Sequence, residues 1–172
     1  MRKQLRTFWL MCLLALAGIS SVASSAEVFP TLHGETLSGK AVALPDAIKG
    51  RPAILILSFS RAAQEQTKAW GERLKAQKVA ADRFQVLELE DVPRLFRGAA
   101  KSGIKKGIPP ASYDSFILLF EGQDALKKVV GFQKNADAYV LLLDSDGNIQ
   151  WREQGAVSDE KMVKLVAELG KR

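Results

Sequence analysis

The sequence predicts an α/β sandwich, with helices on both faces of a mixed β-sheet, and three observations carry that prediction. Ala53–Ser58 (AILILS) and Tyr139–Asp144 (YVLLLD) are short, nearly continuous apolar runs with the length of strands buried on both faces. Between them lie segments whose apolar residues recur at helical spacing. The chain then closes on a strand–turn–strand and a final helix, the alternation that builds a sheet covered by helices.

Each element follows from its local pattern. Arg51-Pro52 bounds the first run, which is expected at the centre of the sheet. Ala63, Thr67, Trp70 and Leu74 then mark the buried face of a helix over residues 62–78, with Gln64, Glu65, Lys68, Glu72 and Arg73 on its wet face. A strand is expected over 84–89. Asp91 is placed to cap a helix with Pro93 in its first turn, carrying Leu95, Phe96, Ala99 and Ala100 to a stop at Gly103. Residues 103–114, with Pro109-Pro110, read as a loop. A strand over 115–120, a short helix over 124–130 ended by Gly131, and the strand 139–144 follow. Asp146-Gly147 predicts a hairpin turn, since both residues tolerate positive φ, returning through Ile149–Trp151. Ser158, followed by Asp159 and Glu160, opens a last helix whose apolar stripe is Met162, Leu165, Val166 and Leu169.

The N-terminus speaks to compartment. Arg2, Lys3 and Arg6 precede the uncharged apolar stretch Thr7–Ile19, and small residues lead to Ser24 and Ala26, spaced as a signal-peptidase site before Glu27. Residues 1–26 are therefore expected to be a signal peptide and 27–172 a single domain, periplasmic or secreted; an uncleaved membrane anchor is the alternative, since 7–26 carries no charge. The three N-terminal cations supply half of the net charge of +6, so residues 27–172 carry +3 with both signs interspersed. That distribution gives no nucleic-acid footprint. A mildly basic surface does suit anionic lipid headgroups.

The sequence excludes more chemistry than it offers. The one cysteine is Cys12, inside the apolar run, so residues 27–172 hold no thiol for peroxidase or disulfide-exchange chemistry. His33, the sole histidine, has no neighbouring ligand spacing and reads as a surface or turn residue. Ser58 and Ser60 follow a buried strand but lack the Gly-x-Ser-x-Gly frame. Glu88, Glu90 and Asp91 are expected to cap and solvate a strand-to-helix turn, and Asp144, Asp146 and Asn148 to shape a hairpin. No phosphate loop follows any strand. No catalytic residue, metal or cofactor is expected.

The order strand, helix, strand, helix, strand, short helix, hairpin, helix resembles the thioredoxin superfamily in its peroxiredoxin and periplasmic thiol-oxidoreductase form. Phe116–Phe120 through Gly131-Phe132 looks like the strand and short helix of that group, and Leu142–Gly147 like the hairpin after its cis-proline. The resemblance puts Gln64 and Thr67, with Ala63 as the neighbouring choice, at the positions of the redox cysteines, and Ala138 near that of the cis-proline. A closer resemblance covers residues 28 to 157. Phe29-Pro30-x-Leu32-x-Gly34, Leu37-x-Gly39, Leu44-Pro45, Arg94–Arg97 with Gly103-Ile104, and Tyr139–Asp144 into Ile149–Trp151 look like the thioredoxin-fold assembly factors of the mitochondrial F-type ATP synthase. That family implies a non-enzymatic role in assembling the membrane-embedded proton-channel sector.

What remains as candidate chemistry is a surface. Arg61 beside the degenerate redox position, Arg94 and Arg97 on the second helix, and Lys101, Lys105 and Lys106 after them are expected to form a basic rim able to hold a peptide or lipid headgroups. Trp70 reads as core and Trp151, on an edge hairpin, as a contact residue. The expected function is to assemble or chaperone a membrane complex by binding a protein client. The alternative is a degenerate peroxiredoxin-like or ligand-binding periplasmic protein whose activity does not use thiols.

Overall fold

A computed structural model describes residues 27–171, and the expected signal peptide lies outside the described residues. The strands are β1 (Glu27–Val28), β2 (Leu32–Thr36), β3 (Ala41–Leu44), β4 (Ala53–Ser58), β5 (Asp82–Glu88), β6 (Phe116–Leu119), β7 (Tyr139–Leu143) and β8 (Asn148–Gln154). The helices are α1 (Gln64–Ala76), α2 (Arg97–Lys105), α3 (Gln123–Val130) and α4 (Asp159–Leu169). One mixed sheet runs in the order β1-β8-β7-β4-β5-β6-β2-β3. Within it β4, β5 and β6 are mutually parallel and every other pairing is antiparallel.

The two apolar runs become β4 and β7, paired through Ala53–Leu57 and Tyr139–Leu143. Alternation of side chains splits them between two cores. Leu55, Leu57, Tyr139, Leu141 and Leu143 meet Leu126, Val129 and Val130 of α3 on one face. Ile54, Ile56, Val140 and Leu142 meet Trp70 and Leu74 of α1 and Met162 and Leu165 of α4 on the other. A third cluster joins Leu37, Phe116 and Leu118 to Ile104, Ile108 and Tyr113.

The expected elements are present, with four differences in detail. After 3-10 turns at 94–96, α2 runs through Gly103 to Lys105, and Asp91 gives its start no side-chain cap. Gly103 has ordinary helical dihedrals and open space around it, so it does not stop the helix. The expected loop over 103–114 is instead the end of α2 followed by a 3-10 helix at Pro110–Ser115. In the hairpin only Gly147 has positive φ, at +89°. Its shape comes from Asp144, whose carboxylate accepts the backbone N–H of Asp146 and of Asn148, each at 2.9 Å, and from a register shift after Leu142. On α4 the stripe narrows to Met162, Leu165 and the partly buried Leu169, since Val166 is 47% exposed.

The β2–β3 hairpin carries no simple hydrophobic alternation, yet its residues are those that support the closer family resemblance. Phe29, Leu32, Leu37 and Leu44 are buried. Gly34 lies where β2 pairs with β6, and a Cβ there would stand against the Leu118 carbonyl oxygen and 2.8 Å from Leu119 Cδ2. Only glycine admits that approach. Gly34→Ala is accordingly expected to cost about 1–3 kcal/mol in urea denaturation. Gly103→Ala, in a helix with nothing within 4 Å, should stabilise by up to about 1 kcal/mol.

Candidate interaction site

The carboxyl ends of parallel strands β4, β5 and β6 lie along one edge of the sheet, and the candidate residues gather there. At the end of β4, Ser60 opens a 3-10 turn at Arg61–Ala63: its hydroxyl accepts the Ala62 N–H at 3.1 Å and donates to the Asn135 carbonyl at 2.8 Å. Of the four degenerate redox positions, Ala63, Thr67 and Ala138 are buried and Gln64 is exposed. Thr67 donates to the Gln64 carbonyl at 3.0 Å, so its hydroxyl is spent inside the helix. The Ala138 N–H donates to Gln66 Oε1 at 2.9 Å, while Gln66 Nε2 and Gln154 Nε2 donate to the Asp137 carboxylate at 3.4 and 2.8 Å. These bonds pin the start of α1 to the segment before β7. The Gln154 hydrogen bond, foremost, holds the Asp137 carboxyl below its ordinary range.

Beneath this seam lies an aromatic cluster that the sequence reading did not single out. Phe59 meets Phe132 and Tyr139 edge-on at 5.0 and 5.5 Å, and Phe132 stacks on Tyr139 at 5.7 Å. The fully buried Tyr139 hydroxyl accepts the N–H groups of Gln133 and Lys134, at 2.8 and 2.9 Å, and donates to the Lys134 carbonyl at 3.1 Å. A single phenol thus organises the turn between α3 and β7. The available signal was a tyrosine opening an otherwise aliphatic strand.

Further along the edge, the residues expected to form a basic rim are divided between separate places. Arg97 stacks over the Phe120 ring at 4.5 Å and donates to the Phe120 carbonyl at 3.4 Å, while Lys101 pairs with Glu35 at 2.9 Å. With exposed Arg94 they line a shallow groove of about 490 Å³ over Gly34, Glu35 and Ala41. Lys105 lies over the Tyr113 ring at 5.2 Å, and Lys106 is exposed beyond it. Arg61, exposed at the end of β4, shares this sheet edge, separated from β6 by β5. Trp151 does not join them. It is half-buried in β8, towards the opposite side of the sheet, with its ring 6.5 Å from Trp70. Trp70 is core as expected, and its indole N–H donates to the Gly155 carbonyl at 2.9 Å.

Of the carboxylates expected to cap and solvate the turn at the end of β5, Glu90 and Asp91 are exposed and Glu88 departs from the expectation. Glu88 is buried and accepts Gln123 Nε2 at 2.7 Å and the Glu90 N–H; Glu90 in turn accepts the Gln123 N–H at 2.7 Å and so caps α3. Burial, more than its neighbours' charges, raises the Glu88 pKa. His33 is exposed on β2, and no group of metal-ligating side chains occurs among the described residues.

Two outcomes test this account. Tyr139→Phe deprives the Gln133 and Lys134 N–H groups of their acceptor and should cost about 1–3 kcal/mol, with faster amide exchange at Gln133 and Lys134. Glu88 binds its proton more tightly folded than unfolded, so it favours folding at acid pH and this contribution is lost as pH rises from the ordinary glutamate value through the raised one. Glu88→Gln should therefore flatten the fall of thermal stability over that interval, and an unchanged pH profile would contradict the assignment.

None of the curated proteins matches the chain in sequence. Solved structures show the fold: the exposed lipoprotein thioredoxin Etrx1 of Streptococcus pneumoniae is 16% identical, with 81% of this chain and 99% of that one covered at a TM-score of 0.55. BsSco, of the Sco family of cytochrome c oxidase assembly proteins, is 14% identical, with coverage of 83% and 93% and a TM-score of 0.55. A peroxiredoxin-like protein of Aquifex aeolicus is 15% identical, with coverage of 84% and 86% and a TM-score of 0.55. The fold is thioredoxin-like, as the element order predicted. The sequence model described as "ATP10 protein" matches residues 21–170, nearly the whole chain and the span on which the motifs from Phe29 to Trp151 lie. The chain belongs to the ATP10 family of ATP synthase assembly factors.

Proposed function

We propose that this protein acts in ATP synthase assembly without catalysing a reaction, by binding a protein client of the enzyme's membrane sector. The family match over residues 21–170 is the observation that carries the reading. Two features of the site support it. The redox positions hold Ala63, Gln64 and Thr67, and the cleft above them is pinned through Ser60, Gln66 and Asp137. A ligand-binding or non-thiol enzymatic role needs that cleft open, and these bonds disfavour it. The proposed site of action is the periplasm or outside the cell, a reading that the signal-like residues 1–26 support. Arg61, Arg94 and Arg97, along the edge of the parallel strands, are the residues offered for contact.

Deleting the gene should lower the amount of assembled ATP synthase on native gels and leave the disulfide status of periplasmic proteins unchanged. Normal levels of the assembled enzyme in the deletion strain would overturn the proposal.

A further inference from the structure

The described residues present several large exposed apolar side chains, and their charge surroundings separate them. Val28 adjoins Glu27, itself paired with Arg152. Val163 and Val166 of α4 lie among Glu160, Lys164 and Glu168, with Lys164 paired to Glu160 at 2.7 Å. Leu95 and Phe96, just before α2, are different. They are 87% and 58% exposed, and the chain from Val92 to Tyr113 has no carboxylate while holding Arg94, Arg97, Lys101, Lys105 and Lys106.

Of those five cations only Lys101 is neutralised, by Glu35. Arg97 and Lys105 are held against aromatic rings and carbonyl oxygens, contacts that orient a cation and leave its charge in place. Arg94 and Lys106 have no ion-pair partner among the described residues. No residue of α2 itself is fully buried. Leu95 and Phe96 stand outside the groove that Arg94, Arg97 and Lys101 line over Glu35, and they protrude from an acid-free stretch whose cations, Lys101 apart, are not neutralised. A smeared negative surface with an apolar layer beneath it matches that pattern, whereas a protein partner needs a shape-matched apolar seat.

We propose that residues 94–106 dock on an anionic phospholipid surface, with Leu95 and Phe96 entering the headgroup boundary and Arg94, Arg97, Lys105 and Lys106 lying against lipid phosphates. The inference goes beyond the assembly role and stands or falls without it, because its test contains no client.

The single native cysteine makes that test clean. In the full-length chain carrying Cys12→Ser, Phe96→Cys is labelled with an NBD fluorophore, and Lys128→Cys on α3 serves as the control site. Vesicles of phosphatidylcholine alone or mixed with phosphatidylglycerol are added. The probe at 96 should brighten and shift to the blue with phosphatidylglycerol and not with phosphatidylcholine, while the probe at 128 stays unchanged. Raising NaCl from about 0.05 to about 0.5 M should reverse the response. Arg94→Gln with Lys106→Gln should weaken partitioning roughly thirty-fold, at ~1 kcal/mol for each cation near the surface, and Leu95→Ser should weaken it further. Equal response to both vesicle types, response at 128 equal to that at 96, or none with either lipid would overturn the proposal. So would a response only to detergent-solubilised ATP synthase, which would make the surface a protein contact.

Discussion

Everything in this fold answers to the absence of a polar side on β4 and β7. Ile54 and Ile56 point one way and Leu55 and Leu57 the other, all nearly inaccessible to water. Burying a single side chain of this size contributes about 1.5–3 kcal/mol, so neither face can be left wet. One helix, α3, covers one side, and α1 with α4 covers the other. Beyond β4 the sheet grows through β6, buried throughout, and through strands that tolerate partial exposure. Strand β5, with half-buried Phe84, Gln85 and Leu87, and the β2–β3 hairpin are of that kind.

The same constraint explains why the candidate residues gather at the ends of β4, β5 and β6. Helix connections leave the carboxyl ends of parallel strands together on one side, where side chains are positioned by a rigid sheet without being consumed by it. Here that margin carries two unlike halves. Over β4 the chain is closed by hydrogen bonds among Ser60, Asn135, Gln66, Asp137 and Ala138, with Tyr139 anchoring the turn from below. Past β5 it opens into the α2 ridge, where Arg97 is fixed by Phe120 and Arg94 is exposed.

How much of this was legible depended on how many residues voted for each feature. Buried strands and amphipathic α1 repeat their signal several times over, so β4, β7 and the face Ala63–Thr67–Trp70–Leu74 were readable from pattern. Strands β2 and β3 are short and broken by Gly34, and their burial comes from a hairpin folding across β6, which no local window contains. Gly103 looked like a stop because glycine often ends helices, but nothing around it requires a left-handed residue. The site was half legible. Positively charged residues near α2 stand out by number, whereas the seam closing the old cleft depends on Gln66 reaching a backbone amide 72 residues away. Trp151 was misplaced for a similar reason: its strand lies near an edge of the sheet, yet α4 folds back beneath it and Trp70 supplies a partner.

The seam has a consequence for the conditions under which the protein works. A redox-active relative of this fold has two forms, and the balance between them follows the thiol–disulfide poise of its surroundings. In residues 27–172 no sulfhydryl exists to be oxidised, and the contacts that replace it are amides, a hydroxyl and a carboxylate. None of these responds to electron supply. The folded domain therefore shows one and the same surface in an oxidising or a reducing environment, and its availability to a partner is decoupled from the oxidative state of the compartment.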